Sequence, residues 1–181
     1  MAKILETVLL LALPASGKSE VRKYLAQLTP ETCRDDFHMG ETVQLDDFPY
    51  VHMMRRIDDE LAARGGRRLF FHAPDRPFQD GRDWGTLIGL VNEDHADLVA
   101  RRRYAPRSAA ELLLDRIEAS AVQAGIPARL STLPAATRTA LAGALESEAA
   151  GMLAEKHESY KDLAGKTLVI EFARGGPDGA A

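Results

Sequence analysis

An apolar run near the start of the sequence constrains the fold of this chain most. Residues Ile4 to Leu13 are nearly all apolar, and the run breaks at Pro14–Gly17. Over the next segment, Lys18 to Leu28, apolar residues recur at helical spacing. A continuous apolar run of this length is typical of a central parallel strand that is covered on both faces. The sequence therefore predicts a buried strand, a short turn and an amphipathic helix in direct succession.

The turn carries most of a phosphate-binding motif. The segment Ala12-Leu13-Pro14-Ala15-Ser16-Gly17-Lys18-Ser19 matches G-x-x-x-x-G-K-[ST], except that Ala12 occupies the position of the first glycine. In this motif backbone N–H groups surround phosphate oxygens, the lysine reaches the β/γ-phosphates, and the hydroxyl holds Mg²⁺. The preceding strand and the following helix are the context that the motif requires. The alternative is an incidental turn-to-helix sequence. We expect phosphate binding by Pro14, Ala15, Ser16, Gly17, Lys18 and Ser19, with Ser19 as a metal ligand.

The segment Leu13–Glu20 resembles the loop of P-loop kinases, the small-molecule and nucleotide phosphotransferases among the P-loop NTPases. The resemblance covers residues 4–28, is weaker at Asp46-Asp47 and Glu171, and is absent over the middle of the chain. It implies an α/β fold with a parallel sheet and helices on both faces. It also implies ATP or GTP and Mg²⁺ as cofactors, but it does not specify an acceptor.

Two aspartates follow a predicted second strand, Thr42–Leu45. The segment Asp46-Asp47-Phe48-Pro49-Tyr50 is similar to an Asp-Asp-Phe-Tyr stretch of uridine and nicotinamide riboside kinases, although Pro49 interrupts the match. In those kinases an aspartate contacts the acceptor, which implies that Asp46 or Asp47 positions the acceptor hydroxyl here. The alternative is that Asp47 caps the following helix.

A third carboxylate follows the apolar run Leu168–Ile170. Glu171 is expected to act near Mg²⁺, as in the Walker B arrangement of an apolar strand followed by an acid. We therefore count Lys18, Asp46, Asp47 and Glu171 as candidate catalytic residues, and Ser19 and Glu171 as candidate metal residues. Arg174 is either a positive charge at the same rim or a solvated loop residue.

The remaining pattern predicts the organisation of the chain. Residues 1–74 are expected to form the nucleotide-binding core, 75–165 a helical insertion or lid, and 166–181 a returning strand of the core. Because the sequence stops directly after this strand, we interpret the chain as a fragment or a truncated domain. The predicted elements are a loop over Pro30–Gly40, a helix over Tyr50–Arg64, a short strand at Leu69–Phe71, a loop over Pro74–Trp84, and helices over Thr86–Arg103, Ala109–Ala124 and Pro134–Tyr160.

Composition limits the classes of partner. The net charge of −4 gives no reason to expect nucleic acid or an anionic membrane as the main partner. Cys33 is the single cysteine, which excludes an intramolecular disulfide and suits a cytoplasmic protein. The expected partners are a nucleoside triphosphate and a small-molecule acceptor.

The basic run Arg101–Arg103 either binds substrate phosphate or is a solvated helix end. Trp84 and nearby phenylalanines form either a pocket for a base or part of the core.

The leading hypothesis is an ATP-dependent kinase of a small molecule. Two alternatives stay open: an NTPase whose hydrolysis drives a conformational switch, and a nucleotide-binding domain without turnover.

Overall fold

The computed structural model describes residues 4–12, 17–159 and 163–173. Within these ranges the chain forms three strands and six helices, which confirms the α/β class. In chain order the elements are β1 (Thr7–Ala12), α1 (Lys18–Gln27), α2 (Pro30–Phe37), β2 (Glu41–Asp46), α3 (Phe48–Ala63), α4 (Asp83–Val99), α5 (Ala109–Gln123), α6 (Ala135–Ser159) and β3 (Lys166–Ala173).

The described strands form one parallel sheet in the order β1-β3-β2. The central strand is therefore β3, in which Leu168 and Val169 are 5% and 2% exposed. The sequence predicted that β1 is covered on both faces, and this was wrong. β1 is an edge of the described sheet, and Leu9 is 52% exposed. An apolar run shows that a strand tolerates burial on both faces, but it does not identify the neighbours of that strand.

A small core forms on one face of this sheet. Leu25 of α1 and Met39 are buried with Val169 of β3, and Val8, Leu10 and Leu28 pack against them. Because side chains alternate along a strand and paired residues share a face, Val8, Leu10 and Val169 lie on the same side. This packing holds α1 against the strand that precedes it in the chain.

The segment predicted as a loop over Pro30–Gly40 contains the helix α2, so that prediction was wrong. The Thr29 hydroxyl accepts a hydrogen bond from the Thr32 amide at 3.2 Å, and Pro30 occupies the first turn. These are the usual start signals of a helix. Thr29 directly follows Leu28, the C-cap of α1, so that one helix begins where the previous one ends.

Residues Leu69–Phe71 do not form the predicted strand. Their three amides donate to the buried carboxylate of Asp58, at 2.6 Å from Leu69, 3.1 Å from Phe70 and 2.8 Å from Phe71. The only ladder contact in the described segment is an isolated bridge between Phe71 and Phe78. A side chain from α3 thus satisfies the backbone donors that a neighbouring strand would otherwise bind.

Four helices, α3 to α6, surround a large apolar core. Its fully buried members include Met53, Leu90, Leu114 and Leu145, one from each helix. The three predicted helices after residue 85 are confirmed, but α4 spans Asp83–Val99 rather than Thr86–Arg103. It ends early because Arg101 adopts a positive φ of 50° and the Arg102 amide turns back to the Asp97 carbonyl at 2.8 Å.

The described residues fall into two compact units. One contains β1, α1, α2, β2 and β3, from the part of the chain up to Asp46 and from Ser159 onward. The other, Asp47–Glu158, is the helical unit of α3 to α6. These are units of packing, and the functional division into a nucleotide-binding core and a lid stays a prediction.

Candidate functional site

Part of the predicted phosphate loop is outside the described residues. Pro14, Ala15 and Ser16 belong to the segment 13–16, which the structure does not describe. Lys18 and Ser19 are the first two residues of α1, and their side chains are also outside the described part. The predicted contacts of these five residues with phosphate therefore stay predictions.

The described flanks of the loop define how the chain passes from strand to helix. β1 ends at Ala12, and Gly17 precedes α1 with φ 88° and ψ 10°, in the left-handed region. The Gly17 carbonyl accepts the amides of Glu20 and Val21, both at 3.0 Å. A residue with a Cβ is strained at such a φ, which explains glycine at this position. The first turn of α1 begins directly after it, with N–H groups that have no partner inside the helix.

Two candidate carboxylates are adjacent in the sheet. The register pairs Asp46 of β2 with Glu171 of β3, and Glu171 with Leu10 of β1. Paired residues of parallel strands lie on the same face, about 4.8 Å apart from strand to strand. Both acids therefore share the face that carries Val8 and Val169. Each is half-buried, and the Gln44 amide donates to Asp46 Oδ2 at 2.5 Å.

Glu171 lies within β3 rather than at its end, because the strand continues to Ala173, which pairs with Ala12. The carboxylate is thus set back two residues from the carboxyl end of the sheet. Asp46, in contrast, is the last residue of β2. Arg174 lies outside the described residues.

Asp47 is the N-cap residue of α3 and the first residue of the helical unit. Its carbonyl accepts the amides of Tyr50 and Val51 at 3.1 and 3.0 Å, but its side chain makes no capping hydrogen bond. Asp47 therefore occupies the cap position that the alternative interpretation predicts, but its side chain does not cap the helix. Pro49, which interrupts the resemblance to riboside kinases, lies in the first turn, where proline is favourable.

Two other sequence candidates belong to the packing of the helical unit. Arg102 Nη1 donates to Asp97 Oδ1 at 3.1 Å, and Arg103 Nη2 donates to the His157 carbonyl at 3.2 Å. Two members of the basic run thus bind groups of their own unit. Phe71 stacks on Phe78 at 4.4 Å between ring centroids, and both belong to the core or its margin. This confirms core packing for the aromatic residues.

The helical unit contains a buried charge network that was not predicted from the sequence. Asp94 and Asp97 of α4 accept hydrogen bonds from Lys156 Nζ at 2.5 and 2.6 Å. Asp94 also binds Arg116 at 2.7 Å and the Tyr50 hydroxyl at 2.6 Å. Burial, together with the charge of Asp94, raises the pKa of Tyr50. The sequence does indicate that both aspartates are buried, because they lie on the same face of α4 as its apolar residues Leu87, Leu90, Val91 and Leu98.

The described residues contain no group of three or more His, Cys, Asp or Glu side chains that could hold a metal ion.

Comparisons with protein-family models, curated proteins and solved structures found no match for this chain. In the described part of the chain, none of the helices combines the length and apolar character needed to cross a membrane.

Proposed function

We propose that the chain binds a magnesium nucleoside triphosphate, ATP or GTP, at residues 14–19 and transfers the γ-phosphoryl group to a small-molecule acceptor. One arrangement carries the proposal. The left-handed Gly17 links β1 to α1, and Glu171 lies on the adjacent strand β3 with Asp46 beside it. In open parallel α/β sheets, ligands bind at the carboxyl ends of the strands. Asp46 is the last residue of β2, and Glu171 lies two residues before the end of β3.

Each candidate residue has a separate role in this proposal. Lys18 and the loop amides bind oxygens of the β- and γ-phosphates. Ser19 is a ligand of Mg²⁺, and Glu171 accepts hydrogen bonds from the water around it. The metal neutralises charge on the phosphoryl group that is transferred. Asp46 or Asp47 positions the acceptor hydroxyl.

The transfer forms one bond, between the acceptor oxygen and the γ-phosphorus. It breaks the bond between the γ-phosphorus and the β–γ bridging oxygen, which leaves with the nucleoside diphosphate. The proton of the acceptor hydroxyl passes to the aspartate. Because the transition state is loose, positioning and charge stabilisation account for most of the catalysis that the protein supplies.

Nucleotide binding is tested by calorimetric titration of the full chain with Mg-ATP and Mg-GTP. Lys18→Ala is expected to abolish measurable binding. Lys23→Ala is the matched control, because Lys23 lies on the same helix, is exposed, and pairs only with Glu20 at 2.9 Å among the described contacts. An unchanged affinity in Lys18→Ala, or equal losses in both variants, contradicts the proposal.

Phosphoryl transfer is tested by incubating the protein with γ-labelled ATP and a pool of metabolites. Label in an organic acceptor is the expected result for a kinase. Label only in inorganic phosphate identifies an NTPase that acts as a switch. Tight binding with no turnover identifies a nucleotide-binding domain without activity. Parallel assays of Asp46→Asn and Asp47→Asn determine which aspartate serves the acceptor, since only that variant loses transfer and keeps ATP affinity.

A further inference from the structure

A cavity of about 330 Å³ lies within the helical unit, between the end of α3, the segment after α5 and the start of α6. Leu61, Leu69 and Leu133 provide apolar wall, and Thr132 and Thr137 add hydroxyl groups. We call it the α3–α6 cavity. Its volume is at the lower end of the range of about 300–1,000 Å³ that is typical of small-molecule sites. The cavity thus suits a compact ligand with an apolar part.

Arg67 lines this cavity with an uncompensated positive charge. Its side chain is exposed and makes no hydrogen bond or ion pair with the described residues. The neighbouring arginines differ, because Arg64 pairs with Glu60 and Arg68 pairs with Asp59 at 2.6 Å. A free guanidinium beside an apolar cavity has five donors available for a planar anion.

A second arginine contributes from the opposite segment. Arg129 also lines the cavity, and its Nη2 lies 2.6 Å from Asp83 Oδ1, so that its charge is balanced inside the unit. Its Nε is buried and has no hydrogen-bond partner among the described residues. No described residue of the lining is acidic. The lining of the cavity therefore carries one unpaired positive charge, on Arg67, and one N–H donor without a described partner, on Arg129.

The start of α6 adds backbone donors at the same place. Pro134 and Thr137 line the cavity, and the Arg138 amide donates to the Pro134 carbonyl at 3.0 Å. The amides of residues 135–137 therefore belong to the first turn of a 25-residue helix, where N–H groups lack partners inside the helix and favour anions. This helix end reinforces the charge of Arg67.

We infer that the α3–α6 cavity binds a small organic carboxylate with a compact apolar body. The carboxylate pairs with the Arg67 guanidinium through two parallel N–H···O bonds, and the body contacts Leu61, Leu69 and Leu133. One uncompensated positive charge matches one carboxylate, whereas a phosphate ester brings close to two negative charges. This site is independent of the proposed nucleotide site and lies entirely within the helical unit.

The ligand class is tested on the full chain by calorimetry with 3-phenylpropionate as the probe. 3-Phenylpropionamide has the same body without the charge, and acetate has the same head without the body. We expect each control compound to bind at least about tenfold more weakly than the acid, as loss of a charge-assisted pair or of apolar contact implies. Equal affinity for acid and amide, or no binding of the acid at millimolar concentration, overturns the inference.

The position of the site is tested by variants and by methyl NMR. Arg67→Gln should weaken 3-phenylpropionate binding at least about tenfold, and Ala128→Phe, at the cavity wall, should abolish it. Arg107→Gln is the matched control, because Arg107 is exposed in the same unit and likewise has no described partner. The methyl shifts should centre on Leu61 and Leu133. Unchanged binding in Arg67→Gln, or shifts confined to other methyls, overturns the inference.

Discussion

The Lys156 ammonium lies 2.6 Å from Asp97 Oδ2, and the Asp97 side chain is completely buried. The same ammonium lies 2.5 Å from Asp94, so that one cation near the end of α6 serves two acids of α4. Arg116 of α5 and Tyr50 of α3 also bind Asp94. A buried charge destabilises the folded state unless it is paired, so each member of the network offsets the desolvation cost of its partners.

Lys156→Met should strongly destabilise the helical unit. It leaves two buried carboxylates with less positive charge, which is expected to lower the free energy of unfolding by about 3 kcal/mol. Urea denaturation followed by circular dichroism measures this change. Arg107→Met, at an exposed residue without a described partner, should change stability by less than about 0.5 kcal/mol. Adding Asp97→Leu to Lys156→Met should recover part of the loss. Equal effects of the two single variants would contradict the role of the network.

Gly17→Ala should lower both stability and nucleotide affinity. At φ 88° an alanine is strained, at a cost of about 1–2 kcal/mol, and relief of the strain displaces the loop amides. Thermal denaturation and ATP titration measure the two effects, with an expected affinity loss of at least about tenfold. The control is Gly143→Ala in α6, where a Cβ meets nothing within 4 Å. There the same substitution should stabilise by about 0.5–1 kcal/mol. A stabilising effect at Gly17 would refute the conformational argument.

Glu171→Gln tests the proposed metal role. If Glu171 orients the water around Mg²⁺, the variant should lose about 10–100-fold in activity or in apparent Mg²⁺ affinity. Turnover measured against Mg²⁺ concentration separates these effects from ATP affinity. Glu41→Gln is the control, since Glu41 begins β2 at the opposite end of the sheet, is 74% exposed, and lies 3.4 Å from Lys166. Identical profiles for Glu171→Gln and the parent would exclude Glu171 from the site.

Asp80 should titrate at unusually low pH. Hydrogen bonds from the Arg82 side chain, followed by its backbone amide, lower the pKa of Asp80 from 3.8 to about 2. Because the folded pKa is depressed, the stability from this pair is present above pH 3.8 and is lost as the pH falls through about 2. NMR titration of the Asp80 carboxyl carbon measures the midpoint. Arg82→Gln should return it towards 3.8, whereas Arg76→Gln, at an exposed site, should leave it near 2. High salt should also raise it, because the pair is solvent-exposed.

Local sequence signals predicted much of this fold. β1, α1, β2 and the four helices α3 to α6 were all placed, because each has its own periodicity, caps or glycine stop signals. The strand β3 was found for the same reason, as an apolar run with an acid near its end. These features depend on residues close together in the chain.

The missed helix α2 has local start signals at Thr29 and Pro30, but the other errors arose where distant residues decide the structure. Apolar runs in β1 and β3 look alike, and only the strand order shows that β3 is central. Leu69–Phe71 has the composition of a strand, but Asp58 from α3 binds its amides instead. Tyr50, Arg116 and Lys156, which bind Asp94 or Asp97, come from three other helices, so no local pattern could identify these partners.

For the candidate site, the sequence predicted Asp46 directly after one strand and Glu171 after the apolar run of another, and the structure pairs the two residues in the sheet. The pairing of two strands separated by more than a hundred residues is a tertiary property, and no motif encodes it. Glycine at position 17, in contrast, was chosen from the motif and has the left-handed conformation that explains the residue type.

The central position of β3 determines when the sheet can form during synthesis. In the described sheet, β1 and β2 do not pair with each other, and both depend on residues 166–173 for their ladder bonds. During synthesis, β1, β2 and the whole helical unit therefore emerge from the ribosome before the first hydrogen bond between strands can form. The helices rely on nearer contacts and can assemble first. The exposed edges of β1 and β2 are consequently candidates for chaperone protection until β3 emerges.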